Sequence, residues 1–250
     1  MATPKQSAPF SELSVAVPTF IRHPTLRQLA ERVQHETLNA VTSPAMYNSQ
    51  NTSRSARILE SLYQTPIADA SVLVAITHER HPKLLLTRRA AHMNSHAGEV
   101  SCAGGKYEIG DGNNVITALR EACEETALPP NKVQLLGQLP IQTSKSGMSV
   151  RPIVALIAPG LVLVPEMGEI SRIFWADFEA LLTQPTVEYA IEYTMQEETA
   201  TILTPSWQVD GETVWGLTGR VIASLLETGF DRQLEWYYRI QNEQAQNVRQ

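Results

Sequence analysis

Cysteine, basic excess and long apolar runs are all scarce in this sequence, and each scarcity closes off a class of protein. Two cysteines among 250 residues, Cys102 and Cys123, are too few for a disulfide framework. Both stand at positions expected to be buried, so reduced thiols in cytoplasm are the expectation. Against 26 Asp and Glu there are only 20 Lys and Arg, a formal net charge of −6. Nucleic-acid binding, which normally shows as a basic patch, is therefore not expected. No apolar stretch approaches the length needed to cross a bilayer, and no charged-then-apolar segment opens the chain. Internal repeats and low-complexity tracts are also missing.

What is present suffices for one folded domain with an extension: 43% of the residues are hydrophobic, enough for a core. Residues 1–20 contain Pro, Ser and Thr without periodicity and read as a loose or docking arm. From 24 to 41, Leu26, Leu29, Ala30, Val33 and Leu38 recur at near-helical spacing. Residues 42–55 are polar and turn-forming, a linker, and 57–63 suggest a short helix. Strand-like runs follow at 71–76, 83–87, 133–139, 151–158, 171–175, 199–203 and 207–209. Helices are expected at 115–127, 177–183 and 217–228. Strands mixed with a few helices predict an α/β fold.

The most informative stretch is 104–128, GGKYEIGDGNNVITALREACEETAL. A double glycine and a short acidic loop lead into a helix-like run carrying Arg120, Glu121, Glu124 and Glu125. At about 100° per residue, with Arg120 at zero, Glu124, Glu121 and Glu125 fall at roughly 40°, 100° and 140°. Ile116, Leu119 and Cys123 lie on the opposite side, so the helix is expected to bury them and aim the acids away from the core. An acidic stripe opposite an apolar one also describes an ordinary solvated helix face. Two features speak for a site. Three carboxylates within one turn repel each other, with only Arg120 among them to offset this. Gly104 and Gly105 let backbone approach a ligand closely, and hard oxygen donors beside such backbone suit Mg²⁺ or Mn²⁺.

The run Arg120-Glu121-Ala122-Cys123-Glu124-Glu125-Thr126-Ala127-Leu128 resembles the end of the Nudix box, R-E-U-x-E-E-x-G-U with U apolar. Ala127 stands where that box has glycine, and the loop from Gly105 to Arg120 is one residue longer. That spacing resembles the coenzyme A diphosphatase branch of the Nudix hydrolases. Residues 85–106, LLTRRAAHMNSHAGEVSCAGGK, also resemble that branch's upstream signature, L-L-T-x-R-(S/A)-x-x-L-x-x-H-x-G-Q-(V/I)-(S/A)-F-P-G-G-K. Glu99 stands for its Gln, and Cys102-Ala103 for its Phe-Pro. Weaker similarity continues at Thr143 to Ile153, at Glu169 to Trp175, and at Trp215-Gly216-Leu217-Thr218.

The resemblance implies a Nudix α/β/α sandwich around a mixed β-sheet with an N-terminal helical extension. Its expected divisions are an extension over 1–65, a Nudix domain over 66–232 and a tail over 233–250. It implies metal-dependent hydrolysis of coenzyme A to 3′,5′-ADP and 4′-phosphopantetheine. Glu121, Glu124 and Glu125 are the implied metal ligands and catalytic carboxylates, with a backbone carbonyl from Gly104 or Gly105. Glu169 is a further candidate ligand, and Arg120 a residue that holds a glutamate in place. Arg89, Lys106, Arg88, Gly105 and His96 are the implied substrate contacts. Asp111 and Glu108 suit outer-shell water or turn formation equally, and Trp215 suits sheet packing better than stacking on adenine. Alternative substrates are ADP-ribose, NADH and dinucleoside polyphosphates, and a catalytically silent Nudix-like binding module is a further reading. A homodimer, with the N-terminal arm covering its seam, is a possible assembly.

Overall fold

Two strands buried on both faces organise the fold. The computed structural model describes residues 16–40, 53–93, 95–195 and 198–241. In chain order these form α1 (Pro24–Asn39), α2 (Arg54–Gln64), β1 (Ala70–Thr77), β2 (Lys83–Arg89), β3 (Val100–Ser101) and β4 (Gly104–Lys106). Then follow α3 (Asn114–Thr126), β5 (Val133–Gln138), β6 (Gln142–Thr143), β7 (Ser149–Ile157), β8 (Ile170–Asp177) and α4 (Phe178–Thr183). Last come β9 (Val187–Met195), β10 (Glu198–Val209), β11 (Glu212–Val214), α5 (Gly216–Phe230) and β12 (Arg239–Ile240).

β1 and β7 read as near-continuous apolar runs, as strands covered on both faces do. They pair in parallel from Ala70↔Val150 to Thr77↔Ile157. The other pairings of this sheet are antiparallel: β2 with β1, β3 and β8; β4 with β1; β5 and β6 with β7. Alternation sends Leu73 and Ala75 into a core beneath α2 and α3, and Val74 and Ile76 into one beneath α1 and α5. The result is an α/β/α sandwich around a mixed sheet.

The N-terminal helix α1 is part of this sandwich, with Leu26, Leu29, Ala30 and Val33 in the core. Thr37 accepts the Gln138 N–H at 2.9 Å, and a Cβ on Gly137 would strike the Thr37 hydroxyl. Glycine there lets helix and strand touch. Ala16 bridges in parallel to Gln134 at the outer edge of β5. The rest of the expected arm, residues 1–15, and most of the linker, 42–52, lie outside the described residues.

After β7 the chain turns and runs back along the end of α3. The Val164 N–H donates to the Thr126 carbonyl and the Glu166 N–H to that of Glu125, both at 2.9 Å. A second sheet joins β9, β10, β11 and β12, all antiparallel. The two expected runs at 199–203 and 207–209 are one strand, β10. β9 was not expected, although its sequence alternates, and β3 and β4 are too short to stand out. No helix among the described residues is long and apolar enough to cross a membrane.

Candidate functional site

Helix α3 is fixed at both ends before it presents any acid. Asn113 caps it, its side chain accepting from the Val115 and Ile116 N–H groups. Asn114 exchanges two hydrogen bonds with the backbone of Ala68, tying the helix to the start of β1. At the other end Ala127 takes the left-handed conformation, φ 56° and ψ 25°. The chain thus reverses where glycine would be easier, by forcing alanine into that geometry.

The buried face of α3 is rotated from the expected one. Val115, Ile116, Ala118, Leu119 and Ala122 are buried, whereas Cys123 is only partly so. The small side chains of Ala118 and Ala122 let the helix lie close to β1, so the apolar arc centres on them. Cys102, on the other hand, is buried as expected, and both cysteines are free. The rotation carries Glu125 inward, and its side chain is only 3% exposed. The expectation that all three acids point away from the core is therefore wrong for Glu125. Glu121 is 16% exposed and Glu124, the outermost, 54%.

β4 lays the two glycines against this helix. A Cβ on Gly105 would fall 2.5 Å from the Glu121 carboxyl carbon, and one on Gly104 would strike the β1 backbone. The Gly104 N–H donates to Glu125 Oε2 at 3.1 Å. Arg89 at the end of β2 approaches the other oxygen, Nη1 to Oε1 at 3.7 Å. Glu169 lies in the turn before β8, its carbonyl accepting the Ala90 N–H.

Arg120 links most of the remaining acids. Its Nε and Nη2 grip Asp111 at 2.8 and 3.1 Å, Nη1 reaches Glu121 at 3.0 Å and Glu124 at 3.2 Å, and Nη2 reaches the Lys106 carbonyl at 3.0 Å. Asp111 is buried and also accepts from the Thr117 hydroxyl and the Glu108 N–H. It is thus the anchor of the arginine and more than a turn former. Sequence reasoning missed this because a nine-residue separation across a turn has no periodic signature.

The electrostatics follow from this crowding. Burial pushes the Glu125 carboxyl up to about 8; the Gly104 N–H and Arg89 oppose that, while Glu121 and Glu169 add to it. Glu121 is raised for the same first reason, against Arg120, with Glu124 and Glu169 adding repulsion. Burial acts on Asp111 as well, but Arg120, the Glu108 N–H and Thr117 together hold it below the usual carboxylate range.

No three His, Cys, Asp or Glu side chains among the described residues form a ready ligand group. The glutamates are instead drawn to Arg120 and Arg89. The donor chemistry nevertheless fits a hard divalent cation, since Glu125 is buried, Glu121 is partly buried beside it, and the two are close enough to repel and destabilised as anions.

The remaining candidates divide. Lys106 is exposed at the end of β4, on the rim of the carboxylates. Arg88 points elsewhere, 3.5 Å from Glu212, because successive residues of a strand alternate faces. His96 is exposed at φ 55° and pairs with Glu99 at 2.9 Å, so the charge standing for the signature's Gln is met by its own neighbour. Trp215 packs on Tyr189, ring centroids 5.7 Å apart, at the entry to α5.

Comparison with known proteins adds the following. A model of the NUDIX domain matches residues 68–198. An uncharacterized Nudix hydrolase NudL of Photorhabdus laumondii is 37% identical over 158 residues, 63% of this chain and 83% of the relative. One from Pectobacterium atrosepticum is 38% identical, covering 62% and 80%. Among solved structures, the NUDIX domain of Shewanella oneidensis NrtR complexed with ADP ribose aligns over 57% of this chain and 88% of that one. Its TM-score is 0.38 at 20% identity.

Proposed function

The chain belongs to the Nudix family, as a hydrolase of diphosphate bonds, and from that premise we propose that it cleaves coenzyme A or its acyl derivatives. The products are 3′,5′-ADP and 4′-phosphopantetheine, or its acylated form. The run 85–106 and the extra residue between Gly105 and Arg120 support this substrate by their resemblance to the coenzyme A branch.

The observation that carries the chemistry is the packing of Glu121 and Glu125 against Gly104 and Gly105, where a Cβ on Gly104 would strike β1 backbone and one on Gly105 would meet the Glu121 carboxyl. Nudix hydrolases generally use divalent metal ions such as Mg²⁺ or Mn²⁺. In this reading Glu121, Glu124 and Glu125, with Glu169 and the Gly104 carbonyl, hold the ions. Such ions, when bound, neutralise phosphate oxygens and make bound water more acidic. The chain's own groups do the rest. A water oxygen bonds to one phosphorus as its bond to the bridging oxygen breaks. One of the glutamates takes the water proton, and the bridging oxygen leaves on the second phosphate. Arg120, anchored by Asp111, keeps Glu121 and Glu124 in place. Arg89 and Lys106 offer counter-charge to the diphosphate. Arg88 and His96 are paired with Glu212 and Glu99, outside the carboxylate cluster that Arg89 joins through Glu125, and in this reading they support the loop.

Turnover of coenzyme A, acyl-CoAs, ADP-ribose, NADH and diadenosine polyphosphates with Mg²⁺ or Mn²⁺, followed by mass spectrometry, tests this reading. Coenzyme A or an acyl-CoA should be cleaved fastest, to the products above. Cleavage of ADP-ribose alone would refute the substrate assignment. Glu124→Gln should lower kcat about a hundredfold or more, the scale of losing a metal-ordering or acid–base group. A fall of less than about tenfold at saturating metal would remove Glu124 from the centre of the chemistry.

A further inference from the structure

The turn that carries Glu169 is gripped by backbone on three sides and by a side chain on a fourth. The Glu169 N–H donates to the Glu166 carbonyl at 3.0 Å, and the Ile170 N–H donates to the same oxygen at 2.7 Å. The Glu169 carbonyl accepts the Ala90 N–H at 2.7 Å. The remaining grip is His92, whose Nε2 lies 3.0 Å from the Gly168 carbonyl. A carbonyl only accepts, so Nε2 carries the hydrogen. The backbone bonds are open to any non-proline residue at those places, whereas the last one exists because residue 92 is histidine. His92 is itself exposed, so core packing does not account for its place.

The bonded carbonyl belongs to the peptide unit that leads into Glu169. On its other side that unit is attached to Gly168, the residue whose φ and ψ are least restricted. The plane of the unit sets the direction in which the Glu169 side chain leaves the turn. That direction matters to the site, because the Glu169 carboxylate is close enough to add repulsion at both Glu121 and Glu125. We propose that His92 is a positioning residue, its bond to the Gly168 carbonyl fixing the 168–169 peptide and so the place of the Glu169 carboxylate beside Glu121 and Glu125. The proposal rests on the reading in which these acids share the metal ions.

Two substitutions separate the donor from the ring. His92→Phe keeps the ring and removes the donor, while His92→Gln sets an amide N–H at nearly the reach of Nε2. Calorimetry of Mn²⁺ on the full chain, without substrate, should show affinity about tenfold or more weaker in His92→Phe and within about threefold of wild type in His92→Gln. Glu169→Gln should weaken binding comparably, and adding His92→Phe to it should bring no further loss. With coenzyme A and Mg²⁺, kcat should follow the same order while KM changes less than about twofold. In chelator, the 166–170 amides should exchange hydrogen faster in His92→Phe, the metal-free sign of a loosened turn. If His92→Phe fails to fold, His92→Ala removes the same donor and decides. Equal Mn²⁺ affinity in wild type and His92→Phe overturns the proposal, as do a loss that adds fully to that of Glu169→Gln and a His92→Gln variant as weak as His92→Phe. An unaffected Glu169→Gln, or a wild-type chain that binds no Mn²⁺, overturns it too. The expected Mn²⁺ pattern without turnover of coenzyme A would uphold it and refute only the substrate reading.

Discussion

Replacing Glu125 by Gln should separate stability from activity, with a size that follows from where the carboxyl sits. Its titration moves from an ordinary 4.5 to about 8 in the fold, so between these values the native state holds a proton that the unfolded chain has lost. The unfolded state then binds fewer protons, and stability must fall as pH rises through that window. Integrated from pH 5 to pH 8, the loss is on the order of 3 kcal/mol. Gln keeps an oxygen for the Gly104 N–H but cannot ionise, so it removes this slope. Urea unfolding at a series of pH values, in chelator, should give wild-type and variant curves that converge near pH 5. Towards pH 8 they should diverge by that amount, the variant being the more stable. Adding Mg²⁺ should shrink the gap by stabilising the wild type alone, since a cation favours the ionised carboxyl. Turnover of the variant should be lost. Parallel pH curves in chelator would refute the assignment of Glu125 as a buried, proton-holding carboxyl.

Three other substitutions follow from the same geometry. Ala127→Gly relieves a left-handed alanine and should raise stability by about 1 kcal/mol, read as a rise in melting temperature; an unchanged midpoint would show that the strain is absorbed elsewhere. Asp111→Asn leaves Arg120 without its buried counter-charge and should cost about 3 kcal/mol in urea unfolding. It should also reduce kcat, with a smaller loss in Asp111→Glu. Gly105→Ala places a methyl 2.5 Å from the Glu121 carboxyl carbon; kcat should collapse while circular dichroism stays native, and a variant of normal activity would mean that Glu121 can retreat without consequence.

The helix with its acids was readable because Arg120, Glu121 and Glu124 obey local helical spacing, and each makes the contacts that spacing allows. Glu125 was not, because its burial depends on which arc of α3 meets the sheet. A count of large apolar residues favoured Ile116, Leu119 and Cys123, and gave too little weight to Ala118 and Ala122, which decide how closely a helix can pack. The strands at 71–76 and 151–158 were visible as runs, but their parallel pairing joins residues about 80 apart and leaves no local signature. The joining of 199–203 to 207–209 was hidden by Pro205, which ordinarily ends a strand but here sits in β10 opposite Glu188. The face of Arg88 could have been foreseen from its neighbour: if Arg89 reaches the carboxylates, strand alternation turns Arg88 away.

The return segment after β7 has a bearing on how this chain can change over time. Its 164–166 stretch is bonded to the last carbonyls of α3, and its end at Glu169 accepts from Ala90. Residues added at Pro159 and Gly160, which are exposed, would bulge into solvent and leave both attachments alone. A single residue added between Val164 and Glu169 would put the two attachments out of step, moving Glu169 relative to Glu125. Insertions and deletions should therefore accumulate in the first part of the segment and be purged from the second, although both are surface loop.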